Sequence, residues 1–187
     1  MSNSARAKVF GIGFHKTGTS SLGTALTLLG YRVAGVQGIW DPNIASKVHE
    51  IAFSVADQFD AFQDNPWPVL YRELDKRYPG SKFILTLRST QEWIASVVQH
   101  FGSETSPMRE WIYGVGNPLG NESIYVSRYE THNMQVIDYF KERPGSLLQM
   151  HITEGDGWRE LCPFLELEMP DCEFPDVNKA SDLEGPI

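Results

Sequence analysis

Lys8-Val-Phe-Gly-Ile-Gly-Phe14 is a short apolar run, and Gly13 to Gly18 form a polar loop bounded by glycines. Thr19 to Leu29 then set Leu22, Ala25, Leu26 and Leu29 on one helical face before Gly30 ends the helix. A buried strand entering a tight loop and then a helix is the first half of a parallel crossover. It commits the remaining chain to further strands and covering helices.

The chain supplies them in alternation. Tyr31 to Ala34, Asp60 to Gln63, Lys82 to Leu87 and Leu147 to Ile152 read as strands, the third being the most apolar. Helices are expected over Asn43 to Val55, Val69 to Tyr78, Thr90 to His100, Pro107 to Tyr113, Glu122 to Lys141 and Asp156 to Leu165, the last capped by Asp156. The pattern predicts an α/β fold with three α/β/α layers around a mainly parallel sheet of four to five strands. Ligands then gather at the C-terminal strand ends.

With 187 residues the chain suits a single domain, 1–187, ending in an acidic, Pro-containing tail from about residue 168. The net charge of −8 is uneven: Met1 to Met150 carry 14 bases and 14 acids, and His151 to Ile187 carry 2 and 10. No basic stripe is present, which argues against a nucleic-acid partner. No apolar run is long enough to span a membrane, and the apolar stretch Val9 to Phe14, short, interrupted by two glycines and followed by His15-Lys16, is wrong for a signal peptide's apolar region, so a cytoplasmic protein is expected. Cys162 and Cys172 lack metal or disulfide-framework spacing and are read as reduced.

The loop itself is unusual. An ATP or GTP loop places Lys directly after its second glycine, followed by a hydroxyl residue that holds Mg²⁺. Here Gly13 and Gly18 have that spacing, but Thr19 occupies the lysine position and the lysine stands earlier, at Lys16. The best strand ends in Thr-Leu-Arg88 rather than in an acid, so no metal clamp is expected. An anion at this loop would meet backbone N–H groups, the helix dipole, Lys16 and the hydroxyls of Thr17, Thr19 and Ser20.

Lys16-Thr-Gly-Thr-Ser-Ser-Leu22 resembles the 5′-phosphosulfate loop of the P-loop sulfotransferases, which take sulfuryl groups from PAPS (3′-phosphoadenosine 5′-phosphosulfate) and release PAP. Arg88 at a strand end and Ser96 eight residues later repeat that family's 3′-phosphate pair. Tyr71 to Arg88, Trp93, Tyr129 to Phe140, Gly157 to Leu165 and Phe174 to Asn178 resemble its small bacterial-type branch, so the likeness covers most of the chain. It implies a P-loop NTPase-like sheet, a PAPS site made by His15, Lys16, Thr17, Gly18, Thr19, Ser20, Arg88 and Ser96, and transfer to a hydroxyl or amine of a small molecule or glycan.

Lys16 is the expected stabiliser of the leaving oxygen. A base must also take the acceptor's proton. The family uses His or Glu after the second core strand, and the corresponding residue here is Asp64. Asp64-Asn65-Pro66 is equally a helix-start signal, and His15 is the substitute base. The family's Arg-Lys-Gly segment for the 3′-phosphate is missing, with Asn178-Lys179 as its candidate replacement. Two other classes remain open: a PAP-binding scaffold without turnover, and a P-loop small-molecule kinase with an atypical loop.

Overall fold

A computed structural model describes residues 6–177. Five parallel strands, β1 (Val9–Gly11), β2 (Val33–Ala34), β3 (Ala61–Phe62), β4 (Lys82–Thr86) and β5 (Leu147–Met150), form one sheet in the order β2-β3-β1-β4-β5. Seven helices join them: α1 (Thr19–Leu28), α2 (Ile44–Ala56), α3 (Tyr71–Arg77), α4 (Thr90–Phe101), α5 (Pro107–Tyr113), α6 (Glu122–Phe140) and α7 (Trp158–Leu165). The α/β class and the parallel five-stranded sheet match the expectation from the sequence.

Register decides which residues share a face. Phe10 pairs with Phe62 on β3 and Phe83 on β4, and the three rings stack across the sheet with centroids 4.6 and 5.5 Å from Phe10. This face packs against α2 to α6. Val9, Ala61 and Ile84 point the other way, against Leu22, Ala25 and Leu26 of α1 and Leu161 and Cys162 of α7. Both cysteines are free thiols.

The sheet order puts β1 beside β4 while their following helices cover opposite faces. Such a switch point leaves a crevice at the C-terminal strand ends, and the Gly13–Gly18 loop and Arg88 both lie there. Among the described residues no helix is long and apolar enough to cross a membrane.

Three expectations need correction. Strands at Tyr31 to Ala34 and Asp60 to Gln63 shrink to two residues each: the Tyr31 N–H is taken by the Leu26 carbonyl at the end of α1 rather than by a strand, and beyond Val33–Ala34 and Ala61–Phe62 only single backbone bonds such as Gln63 N–H to the Ala34 carbonyl remain. The helix expected from Val69 starts as a 3₁₀ turn, Trp67–Leu70, which tightens the chain after Pro66. Asp156 does not cap α7: its carboxylate accepts the His151 N–H at 2.6 Å, and Glu160 instead accepts the Gly157 N–H at 2.8 Å.

Candidate active site

The loop after β1 is fastened from several sides. Gly13 runs so close to β4 that a Cβ there would overlap the side chain and carbonyl of Thr86. The Thr17 hydroxyl donates to the Phe14 carbonyl at 2.6 Å and accepts from the Thr86 hydroxyl at 2.6 Å. The indole N–H of Trp93 donates to the His15 carbonyl at 2.9 Å, and the His132 Nε2–H donates to the Ile12 carbonyl at 2.8 Å. Gly13→Ala is therefore expected to cost about 1–3 kcal/mol by overpacking, seen as a fall in Tm.

These fasteners fix what faces outward. Gly18 has φ 95° and opens α1, so the N–H groups of the first turn have no intrahelical acceptor and point into the crevice. A side chain at Gly18 would strike Ile152 at 2.9 Å. Lys16 has φ 66°, an unusual left-handed conformation for a lysine, and is half-buried. Burial and the nearby Arg88 guanidinium lower its pKa, while Asp64 opposes them. Two cations thus converge beside a carboxylate in a chain of net charge −8.

Arg88 is held by its backbone rather than its side chain. The Tyr129 hydroxyl accepts the Arg88 N–H at 3.0 Å and donates to the Arg88 carbonyl at 2.8 Å. Among the described residues the guanidinium forms an ion pair only with Glu92, at 3.6 Å, and its buried Nε has no hydrogen-bond partner. A buried donor without an acceptor costs about 1–3 kcal/mol, a cost that an anion there would remove. Ser96 is half-buried on α4, one turn beyond Glu92 and one turn before His100. Lys16 lies near enough to help lower the His100 pKa, so this stripe of α4 turns toward the loop.

Asp64 follows β3 with φ 66°. Among the described residues only Lys16, Asp64 and Glu166 are non-glycines with positive φ, and two of the three meet here. Its carboxylate accepts the Asn65 N–H at 2.7 Å and has the Thr19 hydroxyl beside it. Burial outweighs these contacts and the Lys16 charge, raising its pKa. It does not cap a regular helix, since the turn that follows is 3₁₀.

His15 is buried among rings, with Phe101 at 5.0 Å and Tyr113 at 5.9 Å, both edge-on. Its nitrogens lie 3.4 Å from the Asn65 amide and 3.4 Å from the Tyr113 hydroxyl. Burial, reinforced by Arg109 and Lys16, pulls its pKa down to about 3. It is thus neutral at physiological pH and a weak proton acceptor. His132, stacked on Phe14 at 4.4 Å, is likewise lowered, to about 4.

The crevice therefore gathers Lys16, Gly18, Thr19, Asp64 and Arg88, with Ser20 half-exposed at its margin. Thr17 turns its hydroxyl inward and leaves only its N–H for a ligand. Asn178 and Lys179 lie outside the described residues. The preceding Val177 donates its N–H to the Ser21 hydroxyl at 3.0 Å, beside the start of α1. The sequence reading missed the supporting roles of Tyr129, Asn65 and Tyr113. Tyr129 stood inside the matching block Tyr129 to Phe140, which is the one signal that pointed to it.

A parallel five-stranded sheet flanked by helices, with a glycine-bounded loop after its central strand, is consistent with a P-loop-like α/β fold. The sulfotransferase domain family matches residues 8–183, and the chain belongs to that family. A curated relative, Ava biosynthesis cluster protein M of Aspergillus versicolor, is 28% identical over 213 aligned positions covering 91% of this chain and 80% of the relative.

Proposed function

We propose that this chain is a single-domain cytoplasmic sulfotransferase that moves a sulfuryl group from PAPS to a hydroxyl or amine of a small molecule or glycan. The observation that carries the reading is the convergence of Lys16 and Arg88, the latter with a buried Nε that has no acceptor among the described residues. Those donors suit a ligand with two separate anionic groups. PAPS, when bound, supplies a sulfuryl group on a phosphosulfate linkage and a 3′-phosphate that distinguishes it from ATP.

In this reading the N–H groups of Thr17 to Ser20, with the Ser20 hydroxyl, hold the 5′ end, and Arg88 and Ser96 hold the 3′-phosphate. Lys16 neutralises charge on the bridging oxygen as its bond to sulfur breaks and the acceptor's bond to sulfur forms. Asp64 takes the proton released by the acceptor. Of the two candidate bases Asp64 suits the task better, because burial strengthens it whereas burial weakens His15.

Calorimetry with PAP, ATP and ATP plus Mg²⁺ tests the donor, and ³⁵S transfer from PAPS into an acceptor library tests turnover. Tight PAP binding with transfer supports the reading. Mg²⁺-dependent ATP binding would indicate the kinase, and PAP binding without any transfer would indicate a scaffold.

Asp64→Asn separates function from stability. Turnover is expected to fall about 10²–10⁴-fold, the usual worth of a general base, with PAP affinity nearly unchanged. The native pKa of Asp64 is raised, so its ionisation opposes folding. The variant should therefore melt higher than wild type above that raised pKa. The advantage should vanish below the ordinary carboxylate range, where both chains carry a neutral group. Thermal melts across acidic to neutral pH read the sign directly. Wild-type activity should fall as pH drops through the raised pKa.

A further inference from the structure

We propose that the acceptor carries a carboxylate and that Arg128 receives it in a groove between α5 and α6. The inference deepens the sulfotransferase reading and rests on it. The groove, of about 420 Å³, is lined by Tyr113, Ser123, Ile124, Ser127, Arg128 and Thr131.

Its position follows from how α6 is tied to the sheet. Tyr129 grips the Arg88 backbone at the end of β4, and His132 grips Ile12 just after β1. The part of α6 before Tyr129 therefore overhangs the C-terminal strand ends, beside the loop that carries Lys16. Tyr113 forms the inner wall, with its hydroxyl 3.4 Å from His15 Nε2. Tyr113 lies within electrostatic reach of both Arg128 and Asp64, so the residue that walls the groove also neighbours the proposed base.

Arg128 is equipped for an anion. Its Nε donates to the Ile112 carbonyl at 3.2 Å, and its guanidinium lies 5.5 Å over the Phe14 ring, which fixes the plane of the fork. Among the described residues it forms no salt bridge, whereas Arg32, Arg109 and Arg143 each meet a carboxylate within 3.1 Å. The nearby ionisable groups that act on it are the phenols of Tyr113 and Tyr71, neutral at physiological pH. A partly buried, oriented guanidinium without an internal counter-ion favours a carboxylate in bidentate contact. The Ser123, Ser127 and Thr131 hydroxyls border it, and Tyr113 and Ile124 offer apolar walls to the carbon skeleton. The acceptor class is thus a small organic acid whose hydroxyl or amine, at the other end, reaches toward Asp64.

The test measures binding to the full chain by calorimetry, with and without PAP. Its probes are twenty small hydroxy acids, each paired with its carboxamide, 3-(4-hydroxyphenyl)propionate among them. At least one acid is expected to bind about 10-fold or more tightly than its carboxamide, the worth of one charge-assisted contact. Arg128→Gln should bring that ratio close to one, and Arg128→Lys should restore part of it. Ile124→Glu sets a carboxylate one turn before Arg128 on an exposed position and should also collapse the ratio, with PAP affinity unchanged. No acid outbinding its carboxamide, or a ratio that survives Arg128→Gln, overturns the proposal. Failure of the sulfotransferase reading is visible separately, as absent PAP binding and absent ³⁵S transfer, because the acid-to-amide ratio is read from binding alone.

Discussion

Arg88→Ala is expected to weaken PAP binding about 100-fold without lowering Tm, since the ligand-free fold also sheds the cost of a buried, unpartnered Nε. A hydrogen bond to a charged group is worth about 1.5–3 kcal/mol, and a planar fork on a phosphate reaches the upper end; about 3 kcal/mol is about a hundredfold in affinity. The fold survives because the Tyr129 hydroxyl binds the backbone N–H and carbonyl of residue 88, which alanine retains. Glu92 loses only a 3.6 Å ion pair at an exposed position. AMP, which lacks the 3′-phosphate, should bind both proteins equally. Arg88→Lys should fall between them, since it keeps the charge and loses the fork. Equal PAP affinity in wild type and Arg88→Ala would reject the assignment.

Lys16→Met is expected to lower single-turnover ³⁵S transfer about 10³-fold, with a smaller change in KM. Removing one stabilising donor from a developing oxyanion typically costs about 10²–10³ in rate, and here a full ammonium charge goes with it. Methionine keeps the length of the side chain and the left-handed backbone at residue 16, so strain in the loop is the same in both proteins. The pKa of Lys16 is lowered by burial and by Arg88, so wild-type activity should decline on the alkaline side earlier than an ordinary lysine would allow. That alkaline limb should be missing from the residual activity of Lys16→Met. A variant with wild-type rates would remove Lys16 from the chemistry.

The order of elements was readable from periodicity because each helix buries one stripe and each strand one or both faces. The loop between β1 and α1 was readable from its glycine spacing and polar composition, and the strand leading to Arg88 from its apolar run. The short edge strands were drawn too long, since an apolar run does not reveal where neighbouring backbones part. Polar tips were the harder part. Trp93 and His132 stand at core-spaced positions of α4 and α6, and both are buried; yet each sends one N–H to the loop, to His15 and Ile12, across 78 and 120 positions of sequence. Hydrophobic spacing says which side of a helix is covered and is silent on which distant carbonyl a ring nitrogen meets. Thr17 shows the converse: its hydroxyl looked available to a ligand and instead bonds Phe14 and Thr86.

Helix α6 carries two kinds of position side by side. Tyr125, Tyr129, His132 and Val136 are buried and include both anchors to the sheet, while Ser123, Ile124, Ser127 and Thr131 line the groove without serving as anchors. Substitution can therefore remodel what the groove admits while the loop after β1 and the end of β4 keep their alignment. A redesign for a new acceptor should vary those four residues together and leave the anchoring stripe intact.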